Sequence, residues 1–232
     1  MWNLRTLIGL VTNSSPIFVN QAKKMVMAGK LPPFEPTREE IYRYLNDMSI
    51  ESNRPETYAK YNLVSEFVFG QIKTLDLKKD DPILELGCNV GRNLNYLYQH
   101  GFNNLHGIEL SSTATSTMKK FYPEMVNRST ILEGTIEDKI KEIKDGSMAL
   151  TFSNNVLYSI HPYSNFVFDD IARISSKYVM TIEVENSYYW GMFPRDYGLI
   201  FTKLGFKMLE DKLVSPNPSV ETNRHTLRIF KR

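Results

Sequence analysis

Ile83-Leu84-Glu85-Leu86-Gly87-Cys88-Asn89-Val90-Gly91-Arg92-Asn93 is the stretch on which the reading of this chain turns. Ile83, Leu84 and Leu86 suit a strand buried in a parallel sheet, and Gly87 gives a turn where a Cβ would collide with a bound ligand. Gly91 then opens a helix. Leu94, Leu97 and Tyr98 fall on one face of that helix, and Gly101 is placed to end it. The next apolar run, Leu105 to Leu110, closes on Glu109-Leu110. An acidic side chain there stands at the carboxyl end of a second strand, where it can accept both hydroxyls of a ribose.

A glycine turn followed about 20 residues later by an acid also describes dinucleotide sites. Those need G-x-G-x-x-G so that a pyrophosphate can rest on a helix N-terminus, whereas here Asn89 holds the second glycine position and Arg92 the third. Glu85, two residues before the first glycine, would repel a pyrophosphate but attract an ammonium group. Sulfonium chemistry fits better than phosphate chemistry.

The segment Glu85-Leu86-Gly87-Cys88-Asn89-Val90-Gly91 resembles motif I of the class I S-adenosylmethionine-dependent methyltransferases, E/D-x-G-x-G-x-G. It departs from the motif at Asn89, a residue that tolerates left-handed backbone. The resemblance implies S-adenosyl-L-methionine as cofactor, held by Glu85, Gly87, Cys88, Asn89, Gly91, Asn93, Glu109 and Leu110. Further along, Gly134-Thr135-Ile136-Glu137 resembles the adenine-contacting loop, with Thr135 in place of the common Asp and Ile136 beside it. Ser153-Asn154-Asn155 resembles the segment leaving strand four, so Ser153 and Asn154 join the implied cofactor set. The resemblance covers residues 55–232 and implies a doubly wound, seven-stranded, mostly parallel α/β sheet ending in an antiparallel pair. Residues 1–54 are then an N-terminal extension and helical cap.

The composition agrees with a globular α/β domain. A chain of 232 residues with 42% hydrophobic content can bury a full core, and its formal charge of +2, without a Lys/Arg stripe, gives no strong nucleic-acid signal. Cys88 reads as a small packing residue, and no Cys/His cluster has metal-ligand spacing. The apolar run after Met1-Trp2-Asn3 is too short to span a bilayer and lacks a signal-peptide cleavage pattern, so the expectation is a cytoplasmic protein with a surface-docked arm over residues 1–35. Oligomeric state has no signature. Thr37-Arg38-Glu39-Glu40 forms a capping box before a short helix, and Pro55 opens a helix expected to continue to Leu75.

Downstream, Ser111 or Ser112 caps a helix ending before Pro123. Strands are expected over Thr130 to Leu132, Met148 to Ser153 and Tyr178 to Val184, and helices over Ile136 to Ile143 and Phe166 to Ile174. Asp196 caps a helix ended by Gly205, and strands Phe206 to Val214 and Thr226 to Phe230 flank a loop with Pro216 and Pro218.

A sulfonium methyl needs an aligned nucleophile, and a hydroxyl acceptor would benefit from a base at the carboxyl edge of strands four and five. His161 and Glu185 are the catalytic candidates on that edge, while His100, His106 and His225 read as structural or solvated. Tyr58 or Tyr61 can cover the cofactor, and Tyr58, Tyr158, Tyr188, Trp190 and Arg195 are the acceptor-binding candidates. Phe193-Pro194-Arg195-Asp196-Tyr197 resembles methyltransferases acting on sugars, lipids or secondary metabolites, which implies a small-molecule acceptor. A protein or nucleic-acid methyltransferase and a silent binding module are the alternatives.

Overall fold

Capping, proline placement and apolar spacing set the N-terminal elements of the computed structural model, which describes residues 16–32, 35–59, 62–216 and 225–232. Helix α1 (Pro16–Met27) occupies part of the segment expected as a docked arm. Its buried Val19 and Ala22 pack with Tyr188, and Val26 packs with Ile41 and Phe193. Helix α2 (Arg38–Leu45) starts at the expected capping box, with Thr37 Oγ1 accepting the Glu40 N–H and the Glu40 carboxylate accepting the Thr37 N–H.

The helix expected from Pro55 to Leu75 is two helices, α3 (Pro55–Tyr58) and α4 (Asn62–Ile72). Tyr58 and Leu63 are exposed, and the buried face of α4 is Val68, Ile72 and Ser65. Tyr61 and Pro218 lie outside the described residues.

Five strands run parallel: β1 (Ile83–Leu86), β2 (Leu105–Glu109), β3 (Ser129–Glu133), β4 (Met148–Asn154) and β5 (Ser175–Glu183). Strands β6 (Lys207–Val214) and β7 (His225–Lys231) complete the sheet in the order β3-β2-β1-β4-β5-β7-β6. β7 lies between β5 and β6 and is antiparallel to both. This placement carries the start of β7 to the carboxyl edge of the parallel strands, with Thr226 opposite Glu183.

Helices α5 (Arg92–Gln99), α6 (Ser112–Phe121), α7 (Pro123–Asn127), α8 (Ile136–Lys139), α9 (Phe166–Ile174) and α10 (Tyr197–Lys203) connect the strands. The short α7 after Pro123 was not foreseen, and the segment expected as one helix from Ile136 is α8 followed by a 3-10 turn, Ile140–Glu142. Apolar clusters cover both sheet faces. Phe168, Ile171, Phe201 and Phe230 fill one, and Val68, Leu94, Leu97, Met118 and Phe152 fill the other. Each such fully buried side chain contributes about 1.5–3 kcal/mol. β1 has β2 on one side and β4 on the other, so the chain reverses its order there and leaves a crevice at the strands' carboxyl ends. Among the described residues no helix is long and apolar enough to cross a membrane.

Candidate active site

Glu85 is buried near the end of β1, and its Oε1 accepts a 2.6 Å hydrogen bond from Asn93 Nδ2 on α5. Asn93 Oδ1 in turn accepts from Ser65 Oγ at 2.8 Å. Glu85 Oε2 is buried with no partner, and burial pushes the carboxyl pKa up to about 8. At the end of β2, Glu109 accepts the Asn89 N–H through Oε2 at 2.7 Å and the Ser111 N–H through Oε1 at 2.8 Å. Burial raises its pKa as well.

Asn89 stands at φ 46, the left-handed backbone anticipated at that position. Gly87 has φ +66, and a Cβ there would lie 2.6 Å from Val156 Cγ2, so a neighbouring side chain, not an open ligand space, excludes larger residues. Gly91, at φ +69, faces Met118 and Met125 of α6 and α7.

These groups open onto a cavity of about 360 Å³. Its floor comes from β1, β2 and the turns after them: Glu85, Gly87, Cys88, Asn89, Glu109 and Leu110. Gly134, Thr135, Ile136 and Glu137 form one end; Asn154, Asn155, Val156, Tyr158 and His225 form another side. The roof is the N-terminal segment, through Tyr42, Leu45, Asn46, Asn53 and Tyr58. That roof is tied down at three points: Asn165 Nδ2 donates to Val26 O at 2.7 Å, Lys23 Nζ to Asn186 Oδ1 at 2.9 Å, and the Gly191 N–H to Glu35 Oε2 at 3.1 Å.

Residues 84–177 match the family described as "Methyltransferase domain". Over that stretch the chain is similar to the methyltransferase domain family. A ribosomal RNA small subunit methyltransferase A from Persephonella marina is 24% identical over 104 residues, which is 44% of this chain and 38% of that protein. The match thus spans well under half of the curated relative's length. Among solved structures, a geranyl diphosphate C-methyltransferase from Streptomyces coelicolor A3(2), bound to geranyl diphosphate and S-adenosyl-L-homocysteine, superposes with a TM-score of 0.63. It is 11% identical and covers 86% of this chain and 100% of its own. A chain from the Haloferax volcanii complex between a methyltransferase and the Trm112 methyltransferase activator reaches a TM-score of 0.60 at 13% identity, covering 83% of this chain and 97% of its own.

The methyltransferase cofactor S-adenosylmethionine fits this donor set: an unpartnered, buried Glu85 oxygen suits a cationic amine, and the Glu109 carboxylate, held by backbone N–H groups, suits a diol. Thr135 lies in the wall but uses its hydroxyl to cap α8, accepting the Asp138 N–H and donating to Asp138 Oδ2. Ser153 is buried in β4 and Gly91 is packed against methionines; neither reaches the wall.

Several expected acceptor-side residues stand elsewhere. His161 is buried between Tyr163 and Phe193, its Nδ1 accepting the Tyr163 N–H, because Pro162 turns the chain into a 3-10 turn there. Glu185 is held by Arg228 through two hydrogen bonds of 2.7 and 3.1 Å. Arg195 is fully buried and donates to the carbonyls of Leu157, Ile160 and Phe193 and to Asn165 Oδ1, so it staples the loop after β4. Tyr188 packs against Val19 and Ala22 of α1, and Trp190 stacks edge-on against Tyr44. These five seat the cap and the loops instead of lining the cavity.

Tyr58 and Tyr158 do line it. So does His225, which was read as structural because it begins a terminal strand; the insertion of β7 next to β5 is what brings it to the site. Its Nε2 lies 3.2 Å from Asn155 Oδ1, and burial lowers its pKa. Glu183 at the end of β5 was missed altogether. Its buried carboxylate accepts the Val156 N–H at 3.0 and 3.1 Å, and burial raises its pKa to about 7. Among the described residues no His/Cys/Asp/Glu group could hold a metal ion.

Proposed function

We propose that this methyltransferase acts on a small-molecule acceptor enclosed beneath the N-terminal cap. The observation that carries this reading is the roof: Tyr42, Leu45, Asn46, Asn53 and Tyr58 close a cavity of about 360 Å³ over the strand ends, a volume in the small-ligand range and not an extended groove. A formal charge of +2 adds no counterion-driven attraction for a polyanion.

Bound S-adenosylmethionine supplies an activated methyl group and its own leaving group. Glu85 Oε2 pairs with the amino-acid ammonium, Asn93 fixes that carboxylate, and Glu109 takes the ribose hydroxyls. Asn155, Tyr158 and His225 then line the space for the acceptor. With Asn155 Oδ1 accepting from His225 Nε2–H, the neutral imidazole keeps a lone pair on Nδ1. That group accepts the proton of a hydroxyl acceptor, while the cap excludes water and holds the nucleophile in line.

The name of the Persephonella marina relative motivates a second reading, an RNA acceptor. One experiment separates the two. Calorimetry with S-adenosylhomocysteine establishes cofactor binding, and transfer of a labelled methyl from S-adenosylmethionine is then measured against a metabolite library and against ribosomal RNA. Label in the dialysable fraction supports the small-acceptor reading; label confined to RNA overturns it.

A further inference from the structure

We propose that Glu137, which shares the cavity wall with Tyr42 of the N-terminal cap, reads the exocyclic amine of the cofactor's adenine, and that Thr135 does not. This rests on the cofactor reading above. Three buried carboxylates face the cavity in the order of the strands that carry them: Glu85 on β1, Glu109 ending β2, and Glu137 just past β3. Those strands are adjacent, and neighbouring strands lie about 4.8 Å apart, so the series runs on the order of 10 Å along the rim. S-Adenosylmethionine is itself a linear series of ammonium, ribose and base. With the first at Glu85 and the second at Glu109, the base arrives at the β3 end.

At that end the amine needs an acceptor. The Thr135 hydroxyl is engaged on both sides by Asp138, accepting its N–H at 3.2 Å and donating to its Oδ2 at 2.8 Å. Its hydrogen and one lone pair serve the start of α8. Glu137 is 5% exposed, it shares the cavity wall with Tyr42, and its Oε1 is buried without a partner. A carboxylate oxygen in that state is costly to leave unmade and is the acceptor an amine would satisfy. Tyr42 comes from α2 and also lines the cavity, so the element that roofs the site borders the same wall as the residue that reads the base.

The test uses two probes on the whole chain, S-adenosylhomocysteine and S-inosylhomocysteine, which carries a carbonyl in place of the amine. The wild-type chain should bind the adenosyl compound about 10- to 100-fold more tightly, the range expected for a hydrogen bond to a charged group. Glu137→Gln should erase most of that preference, because an amide can face either an amine or a carbonyl. Thr135→Val should retain it. Equal wild-type affinity for the two probes overturns the inference, and this arm needs no variant to fold. A preference lost in Thr135→Val but kept in a folded Glu137→Gln, checked by circular dichroism, also overturns it. If the wild-type chain binds neither probe, the cofactor reading fails and this inference with it; binding with an unaltered preference in Glu137→Gln removes this inference alone.

Discussion

At the scale of single residues, the most legible part of the site was the part closest to backbone geometry. Glu85, Gly87, Asn89 and Glu109 were found because a strand, a turn and a second strand fix where their side chains emerge, and all four border the cavity. Glu109→Ala should weaken S-adenosylhomocysteine binding by about 1.5–3 kcal/mol, the loss of hydrogen bonds to a charged acceptor, as read by calorimetry. Unchanged affinity in a folded variant would take Glu109 out of the proposed site. The acceptor-side residues were less legible, because each depends on a loop path that no periodicity encodes. Pro162 turns His161 inward against Phe193, while His225 arrives from a strand distant in sequence. With an acceptor in hand, His225→Ala should lower kcat about 100-fold while leaving S-adenosylhomocysteine affinity near the wild-type value. Equal turnover would leave alignment alone to account for the chemistry.

At the scale of elements, the strands and the capped helices matched expectation within a few residues, since buried alternation and side-chain caps are local signals. Asp196 donates no ambiguity here: its Oδ1 accepts the Leu199 N–H at 2.8 Å, and α10 begins at the next residue, Tyr197. The errors fell where tertiary contacts decide. Helix α1 carries no helix signal within the expected arm because its few buried residues acquire partners only when Phe193 and Tyr188 fold beneath them. A cut after residue 20 would remove Val19 and the first turn of a docked helix. The docking itself is testable through Val26, which is fully buried against Ile41 and Phe193. Val26→Asp places an unpaired carboxylate there, a change that costs more than about 3 kcal/mol when the group stays buried. The expected result is release of the cap alone: faster hydrogen exchange over residues 16–54, with β1, β4 and β5 still protected, and a weakened S-adenosylhomocysteine complex. Uniform loss of protection across the sheet would show that cap and sheet unfold as one unit.

At the scale of the whole molecule, the fold holds several buried ionisable groups away from their ordinary pKa values. Glu85 is raised to about 8 and Glu183 to about 7, both chiefly by burial. A carboxyl with a raised folded-state pKa contributes stability that is fully present below its unfolded value and lost as pH rises through the folded one. His106, His161 and His225 are shifted the other way, lowered by burial, so their contribution is present above the unfolded value near 6.5 and lost in acid. The two sets oppose each other in acid, but above pH 6.5 the histidines no longer titrate and the carboxyls act alone. The free protein should therefore lose about 2 kcal/mol between pH 6.5 and 8, roughly 4–8 °C in Tm. Saturating S-adenosylhomocysteine should flatten that decline, because an ammonium beside Glu85 Oε2 favours the ionised carboxylate. Binding near pH 7 should correspondingly release protons, seen as a dependence of the calorimetric enthalpy on the buffer's ionisation enthalpy. Glu85→Gln should remove most of the decline in the free protein and the proton release together. A Tm that stays level from pH 6.5 to 8, or a decline that survives Glu85→Gln in full, would show that this carboxyl does not enter the folded state protonated.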